Sequence, residues 1–329
     1  MNLPLHHTEP ASAAADDLAA AKSGSVLALL GHLGVLQFSG EEAETFLQGQ
    51  LSCDVAHVGL RSGSYGAYCS PKGRMLANFL LWREETGFHM ALSRDIAASV
   101  RTHMSKFVLR AKVKVSDASD AIVMAGAAGP KAGQALRELF PDFPKQPNEV
   151  SRRPGTGSII SLKDGRFLLA LAPSSAVALR QGLANSLVPV GASAWRWLDI
   201  RNGVPLVSAA TQDQLVPQMA NFELLGGVSF DKGCYTGQEV VARMQHLGKL
   251  KRRMFLANVA AEAKEGDPLY SDDLGDQSSG IVVNAEPSPD GGYDLLAAIP
   301  TASRERSTVH LKSLEGPALG FLPLPYALG

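Results

Sequence analysis

Three cysteines in 329 residues are too few, and too far apart, to staple a fold. Cys53, Cys69 and Cys234 are odd in number and form no C-x-x-C pair. That argues against a disulfide scaffold and against a cysteine-rich zinc or cluster site, and fits a reducing compartment. His6, His7, His32 and His103 form no metal-ligand pattern either, so no stably bound metal is expected. A charge excess of one sign is also missing: 31 Lys+Arg stand against 32 Asp+Glu. A duplex-binding surface normally shows a strongly basic balance, so no large nucleic-acid surface is expected. No apolar run reaches the roughly 18 residues that a bilayer span needs. The opening MNLPLHHTEPASAAADDLAAAKSG holds no arginine and no basic stretch ahead of an apolar one, which excludes a secretory signal and disfavours a mitochondrial presequence. Residues 1–24 therefore read as a flexible leader and the protein as cytoplasmic. Neither G-x-x-x-x-G-K-[ST] nor a G-x-G-x-x-G at a strand–helix junction occurs, so neither a P-loop nor a dinucleotide fold is indicated.

What is present is globular: 45% hydrophobic and 19% charged residues exclude disorder over the whole chain, and the length favours more than one domain. SVLALL and VLQFSG read as strands around the turn at Gly31–Gly34. Ser39 with Glu42 has the form of a capping box opening a helix with Ala43, Phe46 and Leu47 on its apolar face. Strands follow, broken by turns at Pro71-Lys72-Gly73 and near Gly87. A helix runs from Ser93 to about Val108, with Ile96, Val100, Met104 and Phe107 at helical spacing. AKVKVSD and AIVMAG read as strands and PKAGQALRELF as a helix. GSIISLKDGRFLLALA reads as a hairpin and SSAVALRQGLANSL as another helix. Hairpin-linked strands mixed with helices favour an α+β fold, and the loose similarity of the two halves points to an internal duplication. The last 80 or so residues carry four strand-like runs and no convincing helix, which predicts a small antiparallel barrel or sandwich. The boundary falls near Gly248–Lys249.

One cysteine stands in an unusual setting. In DKGCYTGQE, Thr236 and Glu239 have the T-x-x-E form of a capping box, with Val240, Val241 and Met244 on the apolar side and Gly248 as a stop. Cys234 then lies two residues before the N-cap, beside Lys232, and the run from Val240 to Ala261 is free of acids. A helix N-terminus and neighbouring cations stabilise a thiolate. The alternative is an inert cysteine packed between two turn glycines. His246 reads as a helix-end cation. Pro71-Lys72-Gly73-Arg74 is most simply a turn with solvated charges, with a phosphate or carboxylate contact as the alternative. Trp195 and Trp197 flank Arg196. One is expected in the core, and the other could offer a flat face to a heteroaromatic ligand.

The stretch GGVSFDKGCYTGQEVVARM resembles the K-G-C-Y-x-G-Q-E signature of the YgfZ family of folate-binding proteins, relatives of the glycine-cleavage aminomethyltransferase. FLQGQLSCDV, YCSPKGRMLANFLL, WLDIRNGVPLV and LVPQMANFELLGGVSFDKGC are similar to further blocks of that family, over roughly residues 25–329. The resemblance implies two intertwined, duplicated α/β folate-binding subdomains (25–116 with 193–248, and 117–192). It adds a C-terminal antiparallel β-barrel over 249–329, in a three-lobed cloverleaf. It implies tetrahydrofolate or a derivative as ligand. It also implies a role in assembling or repairing iron–sulfur clusters, with cluster assembly proteins and client enzymes as partners, among them tRNA-thiolating radical enzymes. Cys234 and Lys232 correspond to the working pair of the signature. A tryptophan that the family links to folate corresponds to Trp195, and Arg201, Gln218, Asn221, Tyr235 and Gln238 are the other residues expected at the cofactor.

Two departures separate the chain from the transferases. They carry an acid that pairs with the pterin N–H groups where this chain has Arg201, which cannot accept those bonds. Asp199 lies two residues earlier. They also carry a general-base aspartate where GRMLANFLLW offers Ala77 and Asn78. Three readings follow: a folate-binding cluster-maturation factor working through Cys234, a tetrahydrofolate-dependent aminomethyltransferase, and a pure folate-binding module in which KGC is a structural turn.

Overall fold

A computed structural model describes residues 11–140, 142–246 and 250–328. The first helix is α1 (Ala11–Ser23), where a flexible leader was expected. Its alanines are strong helix formers. Leu18 and Ala21 are buried, and the Asp17 carboxylate accepts a 2.6 Å bond from the Gly191 amide.

The chain then runs through β1 (Val26–Leu29), β2 (Leu33–Ser39), α2 (Ala43–Gln48), β3 (Ser64–Cys69), β4 (Met75–Glu84), β5 (Gly87–Ser93), α3 (Arg94–Ser105) and β6 (Lys114–Asp117). Next come β7 (Val123–Ala128), α4 (Ala132–Arg137), β8 (Val150–Arg153), β9 (Gly157–Ser161), β10 (Phe167–Leu171), α5 (Pro173–Leu183), β11 (Val188–Val190) and α6 (Ala192–Arg201). Ser39 does not cap α2. The helix starts four residues later, after Glu42, whose carboxylate instead accepts the Lys112 amide. The helix α3 ends at Ser105, short of Val108, and leaves Phe107 45% exposed.

Two sheets form from these strands. One has the order β3-β4-β5-β2-β6, the other β11-β1-β7-β10-β9-β8. The run β2-α2-β3-β4-β5-α3-β6 matches β7-α4-β8-β9-β10-α5-β11 element for element, and β3-β4-β5-β2 corresponds to β8-β9-β10-β7 in space. The duplication is thus visible in the topology. The halves exchange a strand: β1 leaves its sequence neighbour β2 and joins the second sheet, antiparallel to β7 and parallel to β11. That places Val26–Leu29 with the 117–192 unit rather than with 25–116.

The sheets pack face to face. Leu80, Trp82 and Ala91 of the first meet Val26 and Leu168 of the second, with Trp195 of α6 in the same cluster. Alternation along β10 sends Leu168 and Ala170 to that layer and Phe167, Leu169 and Leu171 to the opposite one, under α4 and α5. Both faces are therefore covered, and all five β10 residues are buried.

The remaining elements are α7 (Gln238–His246), β12 (Arg252–Val259), β13 (Pro268–Ser271), β14 (Ser278–Pro287), β15 (Tyr293–Pro300), α8 (Thr301–Arg306), β16 (Val309–Leu311) and β17 (Gly320–Leu322). Their sheet, in the order β16-β13-β14-β15-β12-β17, is antiparallel. It carries register shifts at Leu269/Tyr270 and Val282/Asn284, which bend a strand and curl the sheet into a half-barrel. The helix α8 is an addition to the expected all-strand tail. The expected stop at Gly248, the boundary at Gly248–Lys249 and the side chain of His246 lie outside the described residues. Met254, Leu256, Val283 and Leu296 share one core with the first sheet, so the half-barrel is fused to it. The tail closes the arrangement: the Tyr326 hydroxyl donates to the Gly203 carbonyl at 2.8 Å.

Candidate functional site

The DKGCYTGQE loop is held from inside by its lysine. Lys232 Nζ donates to three backbone carbonyls, those of Gln48 and Leu51 at 2.7 Å and of Cys53 at 2.8 Å. A lysine has three N–H donors, and all are taken. Gln48 is the last residue of α2, so the ammonium also sits at the negative end of a helix. The receiving segment is itself tied. Gln48 Nε2 donates to Asp54 Oδ1 at 2.8 Å, and the Val55 amide donates to Gln48 Oε1 at 2.7 Å. Burial lowers the Lys232 pKa, with Cys53 and Asp54 opposing. The ring of Tyr235, 7% exposed, lies 5.3 Å from the same ammonium. Lys232 and Tyr235 are thus the inner side of the loop, while Cys234 is exposed.

Thr236 was expected to cap the following helix. Instead Gly237 does so through its backbone: its carbonyl accepts the Val241 amide at 3.3 Å, and α7 begins at Gln238. Cys234 is therefore three residues from the cap, not two. Gly237 has φ +81°, and a Cβ there would run into the Ser70 carbonyl. Facing it, Gly73 has φ +70°, and a Cβ there would meet Val240 Cβ at 2.8 Å. These two glycines let the Ser70–Arg74 turn press directly on the cysteine loop. Two motifs that the sequence left separate are one structure, and the turn's role here is packing. Ser70 Oγ extends the contact by donating to Asp213 Oδ1 at 2.9 Å.

The other two cysteines are inert by burial. Cys53 and Cys69 are each 1% exposed, and burial pushes both thiols up to about 12. In the native protein at neutral pH a maleimide is expected to label Cys234 at least tenfold faster than Cys53 or Cys69, since the thiolate is the nucleophile. Mass mapping of the adducts checks this, and labelling spread equally over the three would contradict it.

The hairpin that supports the loop reaches a cleft at its other end. From Met75, where β4 leaves the turn, to Asn78 is three residues, about 10 Å along the strand. The cleft is shallow and open, and is lined by Tyr65, Asn78, Trp195, Asp199 and Pro205 among mostly apolar side chains. Trp195 and Asp199 are four apart on α6 and share a face, whereas Arg201 is six from Trp195 and turned away. Arg166, 3% exposed, donates to Asp199 Oδ1 at 2.5 Å, and its guanidinium carbon lies 5.4 Å from the Trp195 ring centroid. The pKa of Asp199 is raised by burial, with Arg166 opposing. Tyr65 is pushed up to about 12, also by burial. Trp195 is only 2% exposed: Gly126, with no side chain, lets β7 lie against the indole. Trp197 is buried as well and donates to Asp294 Oδ2 at 2.8 Å.

The other expected cofactor residues lie elsewhere. Arg201 pairs with Asp294 of β15 at 3.6 Å. Gln218, fully buried, donates to the Val241 carbonyl at 2.6 Å, tying α7 down. Asn221, at φ +55°, donates to the Met254 carbonyl at 2.7 Å and so joins this block to β12. Tyr235 belongs to the loop, as does Gln238, whose amide donates to the Tyr235 carbonyl at 3.1 Å. Arg166, Asp199 and Tyr65 were not among the expected site residues. The i,i+4 spacing of Asp199 from Trp195 was the available signal. Among the described residues no cluster of His, Cys, Asp and Glu is placed to hold a metal ion, and no helix is long and apolar enough to cross a membrane.

Comparison with known proteins places this geometry. The chain is 32% identical over 303 residues to the "tRNA-modifying protein YgfZ" of Sodalis glossinidius, covering 90% of this chain and 91% of that one. The chain belongs to the YgfZ family. The protein of the same name from Enterobacter sp. (strain 638) is 32% identical over 94% of this chain and 96% of its own. Residues 2–150 match the model of the GCVT N-terminal domain. Among solved structures, the glycine cleavage system aminomethyltransferase T from Bartonella henselae superposes with a TM-score of 0.79 at 18% identity, over 95% of this chain and 89% of that one. The likeness shows that this chain has the fold of the aminomethyltransferase.

Proposed function

We propose that this YgfZ-type protein is a folate-binding accessory factor in iron–sulfur cluster assembly or repair, cytoplasmic, and that Cys234 is its working thiol. The observation that carries this reading is the exposed Cys234 on a loop fixed from behind by Lys232 and by the paired glycines 73 and 237. Such a loop presents one thiol to a partner without burying it. A cluster needs about four protein ligands, so partner proteins or small thiols supply the others. Client enzymes would include tRNA-thiolating radical enzymes, in keeping with the relatives' name.

The cleft fits a reduced folate in kind. Its walls are apolar and aromatic, and the Asp199 carboxylate stands among them as an acceptor for ring N–H groups. When bound, a reduced folate supplies the nitrogens that carry one-carbon units. Arg166 fixes the orientation of Asp199, and Tyr65 and Trp195 exclude water beside it. In a deletion strain, wild type is expected to restore growth and cluster-enzyme activity, and Cys234→Ala to restore less than a tenth of that activity while melting at the same temperature. Full rescue by Cys234→Ala would leave the reading of KGC as a structural turn. Addition of tetrahydrofolate is expected to quench tryptophan fluorescence, less so in Trp195→Phe. No quenching at high micromolar folate would remove the ligand from the proposal.

A transferase is the weaker reading. Asn78 stands where those enzymes hold a general base, and its amide is occupied: it donates to the Pro205 carbonyl and accepts the Val207 amide, both at 2.7 Å. A carboxamide takes no proton at neutral pH.

A further inference from the structure

After α3 the chain forms a compact tip, Lys106 to Arg110. Its backbone is fixed by successive bonds: the Phe107 amide donates to the Met104 carbonyl at 3.0 Å and the Ala111 amide to the Val108 carbonyl at 2.8 Å. At the summit Leu109 is 87% exposed with φ +46°, a conformation leucine rarely adopts. Burial does not explain that backbone, because the side chain it projects touches water. Phe107, 45% exposed, is held in place from below. Its ring meets His103 edge-on with centroids 5.3 Å apart, and His103 Nδ1 is 2.6 Å from the buried Tyr68 hydroxyl. In the chain these two apolar residues are flanked by Arg101, Lys106, Arg110, Lys112 and Lys114, of which all but the half-buried Arg101 are exposed. Among the described ion pairs only Lys112 has a carboxylate partner, Glu41 at 2.8 Å.

We propose that this tip is a docking element for a partner protein whose surface offers an apolar pocket rimmed by carboxylates. Leu109 is the anchor, Phe107 the second apolar contact, and Lys106 and Arg110 the charges that complement the rim. Other occupants fit less well. A second copy meeting tip to tip would bring the same cations together. An anionic bilayer would meet Glu41 and Glu42, both of which are bound to Lys112 at the base of the tip. A pocket admits the narrow summit without them. The position is also informative: the tip's base holds the N-terminal side of α2, and the Lys232 anchor takes the carbonyl at its C-terminal end. A six-residue helix, about 9 Å long, separates the two. The docking element does not depend on folate or on the thiol.

A photocrosslinking residue at position 109 of the full chain, irradiated in its native host, is expected to give an adduct with one protein of discrete mass. The same residue at exposed Val177 should give none. The double variant Lys106→Glu/Arg110→Glu should abolish the adduct, and the purified partner should bind that variant at least tenfold more weakly than wild type. With the photoprobe moved to Phe107, Leu109→Gly should remove the adduct while leaving the melting temperature unchanged or higher, because glycine accepts the left-handed backbone. The proposal is overturned by no adduct at 109, by an adduct only to a second copy, or by one insensitive to charge reversal. Salt-sensitive binding of the wild type to phosphatidylserine vesicles, lost in Leu109→Gly, would overturn it in favour of a membrane.

Discussion

Lys232→Met is expected to lower the unfolding free energy by about 3 kcal/mol, since hydrogen bonds to charged groups are worth about 1.5–3 kcal/mol and orphaned carbonyls add a penalty. Methionine matches the length of the stem and removes only the ammonium. Three carbonyls, of Gln48, Leu51 and Cys53, then lose their donor together. Lys232→Arg keeps the charge but is expected to recover only part of the loss. A planar fork cannot reach three acceptors that converge on one nitrogen. Urea unfolding of the three proteins measures both effects. If Lys232 served only to tune the neighbouring thiol, Lys232→Met would leave the midpoint within experimental error and slow alkylation of Cys234 alone.

Asp199→Ala is expected to destabilise the protein by about 3–5 kcal/mol, the usual consequence of leaving one member of a buried ion pair without its partner. Arg166 is 3% exposed, and Asp199, 24% exposed at the cleft, is its carboxylate partner among the described ion pairs. The double variant Asp199→Leu/Arg166→Met should regain most of the loss, because a well-packed apolar pair can replace a buried ionic one. The acid behaviour gives an independent check. In the fold the Asp199 pKa lies above the ordinary carboxylate value, chiefly through burial. Between those two values the folded state holds a proton that the unfolded state has released, so stability falls as pH rises through that window. Wild type should show this slope and Asp199→Asn should lose it. Tetrahydrofolate binding should weaken in Asp199→Asn, which keeps the shape and removes the charge.

Local chemistry carried the sequence reading well where neighbours in the chain are neighbours in space. The turns at Pro71-Lys72-Gly73 and Gly87, the strands they separate and the 157–171 hairpin follow from alternation and turn residues alone. Contacts whose partner is distant in the chain, or is backbone, leave no such pattern. Lys232 was placed beside Cys234 as a charge, yet its acceptors are carbonyls about 180 residues earlier, which no side-chain pattern records. Thr236 offered a capping box, but close approach of Gly237 to the Ser70 turn decided where the helix begins. Arg201 drew attention as an acid gone missing, while the cleft carboxylate is Asp199, one helical turn from Trp195. Its partner Arg166 lies 33 positions away on another element. Phe107 kept helical spacing, but the chain had already left the helix.

The exchange of β1 between the two halves has a consequence for how the protein is made. This short apolar strand leaves the ribosome early, yet its two partners are Val123–Ala128 and Val188–Val190. About 160 residues separate Leu29 from the second of these. At about 5–20 residues per second, some 10–30 seconds of synthesis pass before that edge can close. Until Val123–Ala128 follows, about 94 residues after Leu29, Val-Leu-Ala-Leu is an unpaired hydrophobic strand, and its second edge stays open until Val188–Val190 is made. The nascent chain is therefore most exposed to misassociation before the β7 codons are read, and keeps one open strand edge until those of β11 are.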